Sequence, residues 1–192
     1  NLLIALGAGA AVGVAIGVGV LALGGSDEGI DASSAAYLDG IPQTRDVLGE
    51  PDAGVTLIQF EDLQCPVCQQ YTEGAMPGIV EQYVRPGQVK LRFVGLAFLG
   101  PDSEKALRYT LAAGLQSKLW QYSELLYENQ GAENSGWVTD DLLEGIATAL
   151  ELDWDKLKAD APGASVTQQL NAMSSEGAAL QIPGTPTFYI QV

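Results

Sequence analysis

The chain contains two cysteines, which stand three residues apart in the segment Cys65-Pro-Val-Cys68. A thiolate is the form of cysteine that attacks disulfides, and two cysteines at this spacing can form and open a disulfide reversibly. The same spacing also fits a structural disulfide or half of a metal site. The 192 residues include no histidine, which excludes Cys-His and Ser-His-Asp catalysis and a self-contained zinc site. The favoured chemistry is therefore dithiol–disulfide exchange, with the Cys65–Cys68 disulfide as the redox group and no metal or other cofactor.

The elements around the cysteines decide their roles. A buried strand is predicted over residues 55–60, because VTLIQF is apolar, rich in β-branched residues and preceded by a turn at 51–54. Pro66 fits the first turn of a helix, where its missing N–H would have no partner. Cys65 then stands at the helix start, where free backbone N–H groups and the helix dipole stabilise a thiolate. We predict that Cys65 attacks and that Cys68, one turn further, resolves the mixed disulfide.

The rest of the chain indicates an α/β domain. A second strand is predicted over residues 90–95, and a turn at 184–186 opens into a last strand. Between them, apolar residues spaced by three and four predict several amphipathic helices, whose apolar faces belong to the core. Ser103 and Thr139 are predicted to cap two of these helices.

These segments resemble the DsbA-like branch of the thioredoxin-fold proteins. Phe60-Glu-Asp-Leu-Gln-Cys-Pro-Val-Cys68 is similar to the active-site strand and helix of that branch, and Ile182-Pro-Gly-Thr-Pro-Thr-Phe188 to its cis-proline segment. Residues 119–130 resemble a helix of its inserted helical subdomain. The resemblance implies a thioredoxin fold over residues 51–192 with a helical insertion at about 103–180. It also implies a further strand and helix after the last predicted strand, so the domain is expected to be C-terminally incomplete.

The resemblance also implies a substrate-binding site. Pro186 is expected to follow a cis peptide bond and to lie beside the dithiol, although a plain turn proline is the other interpretation. The backbone of Thr185 is expected to pair with a bound peptide, as in strand addition. Pro66 and Val67, between the cysteines, complete the residues expected to contact substrate.

The chain departs from the family pattern in two places. Many relatives carry a buried carboxylate six residues before the nucleophile, which moves protons at the buried cysteine, and this position is Gln59 here. A neutral amide cannot act as a base, so proton handling is expected to use water or neighbours such as Glu61 or Asp62. The dipeptide Pro66-Val67 lacks the histidine that stabilises the thiolate in strongly oxidising relatives, which predicts a less extreme oxidant.

The N-terminal residues are predicted to form a membrane anchor. The uncharged run 2–23 would span about 33 Å as a helix, which matches the hydrocarbon core of a bilayer. We predict one retained transmembrane helix over residues 1–25 rather than a signal peptide. A ridge of small residues suits contact with helices of other membrane subunits, although glycine can also simply fill a lipid-facing helix. This ridge is formed by Gly9, Gly13 and Gly17.

The following residues, 26–50, are small, polar and acidic, and are predicted to form a linker. The formal net charge of −15 argues against nucleic-acid binding, which requires basic residues.

The leading hypothesis is a single-pass membrane protein, with its soluble domain extracytoplasmic, either periplasmic or at the cell surface. Disulfides persist in those compartments. The domain would exchange disulfides with protein thiols and could be re-oxidised by a quinone-linked membrane partner. The sequence leaves oxidase, reductase and isomerase open, although Cys-Pro-x-Cys favours oxidase or isomerase. The alternative is an accessory or structural subunit of a larger membrane complex, with a structural or vestigial dithiol.

Overall fold

The structure is a computed structural model that describes residues 29–192. It contains one mixed β-sheet with helices packed against it. The strands, numbered along the chain, are β1 (Gln43–Thr44), β2 (Val47–Leu48), β3 (Val55–Glu61), β4 (Val89–Gly95) and β5 (Thr187–Gln191). They lie in the order β1-β2-β4-β3-β5, in which β3 is parallel to β4 and antiparallel to β5.

A 3-10 helix, Ser33–Leu38, precedes the sheet. Helix α1 (Pro66–Gly74) follows β3, and α2 (Met76–Ile79) continues into a π-helical turn, Val80–Val84. The remaining helices lie between β4 and β5, where the helical insertion was predicted. They are α3 (Pro101–Gly114), α4 (Leu119–Glu128), α5 (Asp140–Ala149), α6 (Trp154–Asp160) and α7 (Ala164–Ala179).

The sheet brings two distant loops to the same end. Phe60 is paired with Thr187, because β5 runs antiparallel to β3. The loop that follows β3 and the loop that precedes β5 therefore lie together. These loops carry the cysteine motif and the proline segment, which are separated by more than a hundred residues in sequence.

Helix α4 is at the centre of the core. Its residues from Leu119 to Tyr127 are all buried, and it packs against α1, α3 and α5. Trp120 lies edge-on to Phe93 of β4, with 6.1 Å between ring centroids. The helical insertion therefore shares one core with the sheet, and its residues can reach the end of β3.

The described part of the predicted linker is folded. The structure places a 3-10 helix and two strands in the interval predicted as linker (26–50), and β2 pairs with β4. The linker prediction was wrong for these residues, because it rested on the polar composition of the interval. The few apolar residues of the interval enter the core and hold it against the domain. Leu38 and Leu48 are completely buried, and the Tyr37 hydroxyl donates a 2.7 Å hydrogen bond to Glu124 of α4.

The predicted membrane anchor (1–25) and its glycine ridge of Gly9, Gly13 and Gly17 lie outside the described residues. Among residues 29–192, no helix is both long enough and apolar enough to cross a bilayer.

Candidate active site

The two cysteines occupy the start of α1, as predicted. Cys65 is the N-cap residue in an extended conformation, and Pro66 is the first residue of the helix. The Cys65 backbone N–H donates to the Asp62 carbonyl at 2.9 Å, which turns the chain sharply between β3 and α1. Cys65 is 7% exposed and Cys68 is completely buried, and both are free thiols. An incoming disulfide can thus reach Cys65 before it can reach Cys68.

The proline segment lies against the first cysteine. The Thr185–Pro186 peptide bond is cis, as the family resemblance implied. The Cys65 Sγ donates a 3.3 Å hydrogen bond to the Thr185 carbonyl oxygen. Within this loop, the Thr187 hydroxyl donates to the Gly184 carbonyl at 2.7 Å. The tertiary structure therefore joins the dithiol and the cis-proline loop into one site.

The surroundings of the first cysteine are partly apolar and open to solvent. Val67 is 53% exposed, and Thr185 and Pro186 are half-buried, so all three border accessible space. A cavity of about 430 Å³ opens beside the Cys65 thiol. Its other lining residues include Ile182, Pro183 and Gly184 of the cis-proline segment. Phe98, Leu99 and Glu133 also line it, and these three were not predicted from the sequence.

The carboxylate of Asp62 is a structural acceptor. Its Oδ2 atom accepts hydrogen bonds from the backbone N–H groups of Phe98 (2.8 Å) and Leu99 (3.1 Å). Its Oδ1 atom accepts from the Gln64 N–H (2.9 Å) and the Ser103 hydroxyl (2.6 Å). Four donors hold this side chain and tie the loop after β4 to the active site. Ser103, which was predicted to cap a helix, instead lies inside α3 and is buried against this carboxylate.

The carboxylate of Glu61 has a different environment. It is buried at the end of β3, where its Oε2 atom accepts a 2.8 Å hydrogen bond from the Tyr127 hydroxyl. Its Oε1 atom has no hydrogen-bond partner among the described residues. Burial raises the pKa of Glu61 to about 7, and the hydrogen bond from Tyr127 acts in the opposite direction. This side chain can therefore gain or lose a proton near neutral pH.

The buried thiol of Cys68 is kept neutral by its surroundings. Burial, and next the negative charge of Glu61, raise the pKa of Cys68 well above its ordinary value. Gln59 is completely buried, and its amide N–H donates to the Tyr71 hydroxyl at 2.9 Å. The position six residues before the nucleophile therefore contributes no charge, and Glu61 is the carboxylate that acts on Cys68.

Two residues that sequence reasoning missed connect the helical insertion to the site. Tyr127 is one, and Gln130 is the other: its side-chain N–H donates to the Leu63 carbonyl (2.8 Å) and the Cys65 carbonyl (3.4 Å). Tyr127 lies in α4, and Gln130 follows the end of that helix by two residues. The spacing of the apolar residues in α4 indicated only that the helix belongs to the core. Among the described residues, no cluster of three or more cysteine or acidic side chains could hold a metal ion.

The sequence profile of the family described as Thioredoxin matches residues 42–191. The chain belongs to this family. Disulfide bond formation protein D of Bacillus subtilis is 29% identical, over 86% of this chain and 74% of that protein. The crystal structure of oxidised BdbD from the same species superposes with a TM-score of 0.70 at 28% identity, covering 78% of this chain and 85% of that one.

The α/β thioredoxin fold and the DsbA-like relationship predicted from the sequence are therefore confirmed. A further relative is the Na⁺/H⁺ antiporter NhaA 1 of Salinispora arenicola. It is 32% identical over 78% of this chain, and the match covers 22% of the antiporter's length. Thioredoxin-like sequence of this kind is thus present in a longer protein that bears a transporter's name.

Proposed function

We propose that this protein is a thiol–disulfide oxidoreductase that exchanges disulfides with other proteins through Cys65 and Cys68. The contact of the Cys65 Sγ with the Thr185 carbonyl oxygen, at the start of α1, carries this proposal. A helix start stabilises a thiolate, and the cis-proline loop gives an extended substrate a backbone to pair with. The name of the Bacillus relative, disulfide bond formation protein D, supports the same activity.

The exchange proceeds in two steps. The Cys65 thiolate attacks a substrate disulfide, whose S–S bond breaks, and one substrate sulfur leaves with the electron pair and takes a proton from water. Cys68 then attacks the Cys65 Sγ in the mixed disulfide and releases the second substrate sulfur, so that two electrons have passed to the substrate. The reverse sequence places a disulfide into a substrate, and the Cys65–Cys68 disulfide is the redox group in both directions.

Substrate binding is assigned to the residues around the accessible cysteine. Pro66 and Val67 border it on one side, and Thr185 and Pro186 on the other. The exposed side chain of Val67 suits apolar residues of an unfolded substrate.

We place this activity outside the cytoplasm, where disulfides persist. The predicted N-terminal anchor would hold the domain at the membrane surface. A quinone-linked membrane partner would re-oxidise the dithiol if the protein forms disulfides, and an electron donor would reduce it if the protein breaks them.

The test compares wild type with Cys65→Ser and Cys68→Ser in insulin reduction and in the refolding of reduced RNase. We expect Cys65→Ser to abolish turnover. Cys68→Ser should form a mixed disulfide with the substrate that does not resolve and that mass spectrometry detects. Equal turnover by wild type and Cys65→Ser would refute an enzymatic dithiol.

The second candidate is a domain or accessory subunit of a larger membrane protein complex, in which the dithiol is structural. The match to a Na⁺/H⁺ antiporter favours this candidate, because the similar region covers only 22% of that protein's length and is thus one part of a longer protein. Purification from membranes separates the candidates. A partner retained in fixed proportion, together with no effect of Cys65→Ser on turnover, would support this second function.

A further inference from the structure

The cavity beside Cys65 has an apolar lining that is interrupted by one charged residue. The apolar side chains that line it belong to Phe98, Leu99, Ile182 and Pro183. Among the described residues that line this cavity, Glu133 alone carries a carboxylate or a basic group. Glu133 is exposed, and none of the ion pairs within residues 29–192 includes it. A carboxylate without a cationic partner in the described chain therefore borders the cavity that holds the first cysteine.

The loop that carries Glu133 is tied to the first cysteine. The backbone N–H of the next residue, Asn134, donates a 2.6 Å hydrogen bond to the side chain of Gln64, which directly precedes Cys65. At the start of the same loop, the Gln130 side chain donates to the Cys65 carbonyl oxygen at 3.4 Å. Hydrogen bonds on both sides of Glu133 thus set its position relative to Cys65.

The same loop is also fastened to the start of α3. The Gly136 N–H donates to the Asp102 carboxylate at 2.8 Å, and the Asn134 side chain donates to the Leu99 carbonyl oxygen. Asn134 has a φ of 54°, and a Cβ at Gly100 would lie only 2.3 Å from its Oδ1 atom. This close packing restrains the loop. A group that is already held in place can bind a ligand with little further loss of conformational entropy.

We propose that Glu133 selects substrates in which a basic side chain lies next to the reacting cysteine. The proposal rests on the proposed thiol–disulfide exchange and names the substrate class of that site. A substrate that joins its cysteine to Cys65 must place the neighbouring residues in or beside this cavity. A basic residue there would pair with the carboxylate, whereas an acidic residue would be repelled by it.

The apolar lining suits the remainder of a basic side chain. Lysine and arginine lay their aliphatic stems on apolar surface and keep their charged ends in water. Phe98 is 54% exposed and supplies such a surface in the same cavity as Glu133. The residues already assigned to substrate binding carry no charge, and they are Pro66, Val67, Thr185 and Pro186. Glu133 is therefore the group that can distinguish substrates by charge.

The net charge of the chain also favours cationic substrates. A formal charge of −15 attracts cations towards the surface as a whole. A direct contact between two unit charges at about 4 Å in water changes a rate or equilibrium constant by roughly fivefold, and it requires a charge at that place. The contribution of Glu133 is therefore measured against a variant that loses one negative charge elsewhere.

The experiment uses three small disulfides of different charge: cystamine is cationic, hydroxyethyl disulfide is neutral and dithiodipropionate is anionic. The reduced full chain is mixed with each probe at low ionic strength and neutral pH, and the mixed disulfide at Cys65 is followed by acid quench and mass spectrometry. The rate for each charged probe is divided by the rate for the neutral probe. This ratio cancels any change in the reactivity of the thiol itself.

Removal of the carboxylate should change both ratios. Glu133→Gln should lower the cystamine ratio roughly fivefold and raise the dithiodipropionate ratio by a similar factor. Both changes should shrink in about 1 M salt, where the Debye length is about 3 Å. Ratios equal to those of wild type at low ionic strength would overturn the proposal.

Glu151→Gln is the matched control. Glu151 is also exposed, and it lines a different cavity that shares no residue with the cavity beside Cys65. This variant loses the same charge and should keep the wild-type ratios. Equal changes of the ratios in Glu151→Gln and Glu133→Gln would show that the overall charge controls them, and would overturn the proposal.

Two peptides extend the test to the substrate class. They differ only in a lysine or a glutamate beside a single cysteine, and each is supplied as its disulfide-linked dimer. Wild type should react faster with the lysine peptide, and Glu133→Lys should reverse the order. An order that Glu133→Lys leaves unchanged would overturn the proposal.

Cys65→Ser separates the failure of this proposal from the failure of the proposed function. If Cys65→Ser reacts with the neutral disulfide as fast as wild type, the proposed function fails. If Cys65→Ser is inert while Glu133→Gln keeps the wild-type ratios, only the role of Glu133 fails.

Discussion

The Tyr127 hydroxyl lies 2.8 Å from the Glu61 carboxylate and 3.3 Å from the Asp62 carbonyl oxygen. One side chain of α4 therefore binds the end of β3 at the point where the chain turns towards the cysteines. This contact makes the helical insertion part of the candidate active site.

Removal of this hydroxyl should destabilise the domain. Tyr127→Phe leaves the buried Oε2 atom of Glu61 without its hydrogen-bond donor. We expect the free energy of unfolding to fall by about 1–3 kcal/mol. Urea unfolding at constant pH measures the change. Tyr37→Phe is the control, and its effect should be smaller because Tyr37 is only half-buried. Wild-type stability of Tyr127→Phe would contradict the contact.

The stability of the domain should fall as pH rises through 7. The pKa of Glu61 is about 7 in the folded protein against an ordinary value of 4.5, so the folded state binds this proton more tightly. The stabilisation is complete below pH 4.5 and is lost as pH rises through the folded pKa, and it is on the order of 3 kcal/mol. Urea unfolding from pH 4.5 to 8 should show a smaller decline for Glu61→Gln than for wild type. Parallel curves would contradict the buried titration.

Asp62→Asn should loosen the loop after β4. An amide can replace only part of the four hydrogen bonds, and hydrogen bonds to a charged group are strong, so we expect a loss of about 3 kcal/mol. Hydrogen exchange should accelerate at the amides of Phe98 and Leu99. Ser103→Ala removes one donor and should cost about 1 kcal/mol. Unchanged exchange at both amides would show that Asp62 does not hold this loop.

A side chain added at Gly95, the last residue of β4, should overpack the core. A Cβ at Gly95 would lie 2.2 Å from Leu107 Cδ1 and 2.9 Å from Phe93 Cε1. We expect Gly95→Ala to destabilise the domain by about 1–3 kcal/mol through overpacking. In a double-mutant cycle, Gly95→Ala should cost less unfolding free energy in the Leu107→Ala background than in wild type. Strictly additive losses of the two substitutions would exclude this clash.

Local chemistry made the main features of the dithiol predictable. The start of α1 follows from Pro66 and the preceding apolar strand, and the N-cap of α5 at Thr139 follows from its side chain, which accepts from the Leu142 N–H at 3.1 Å. The cis-proline loop was predicted through the family resemblance rather than from spacing. The linker prediction failed because composition does not tell which of a few apolar residues, such as Leu38, enters a core.

The sequence by itself determined the spacing of the two cysteines, the absence of histidine and the presence of Gln59 six residues before Cys65, since these depend on residue type and short spacing. Only the tertiary structure decided which of the two neighbouring carboxylates, Glu61 or Asp62, keeps an oxygen without a hydrogen-bond donor among the described residues. Asp62 and Glu61 are adjacent and chemically alike, but all of their donors except the nearby Gln64 N–H come from α3, α4 and the loop after β4. A hydrogen bond depends on where distant elements pack, and that packing gives four donors to Asp62 and one to Glu61.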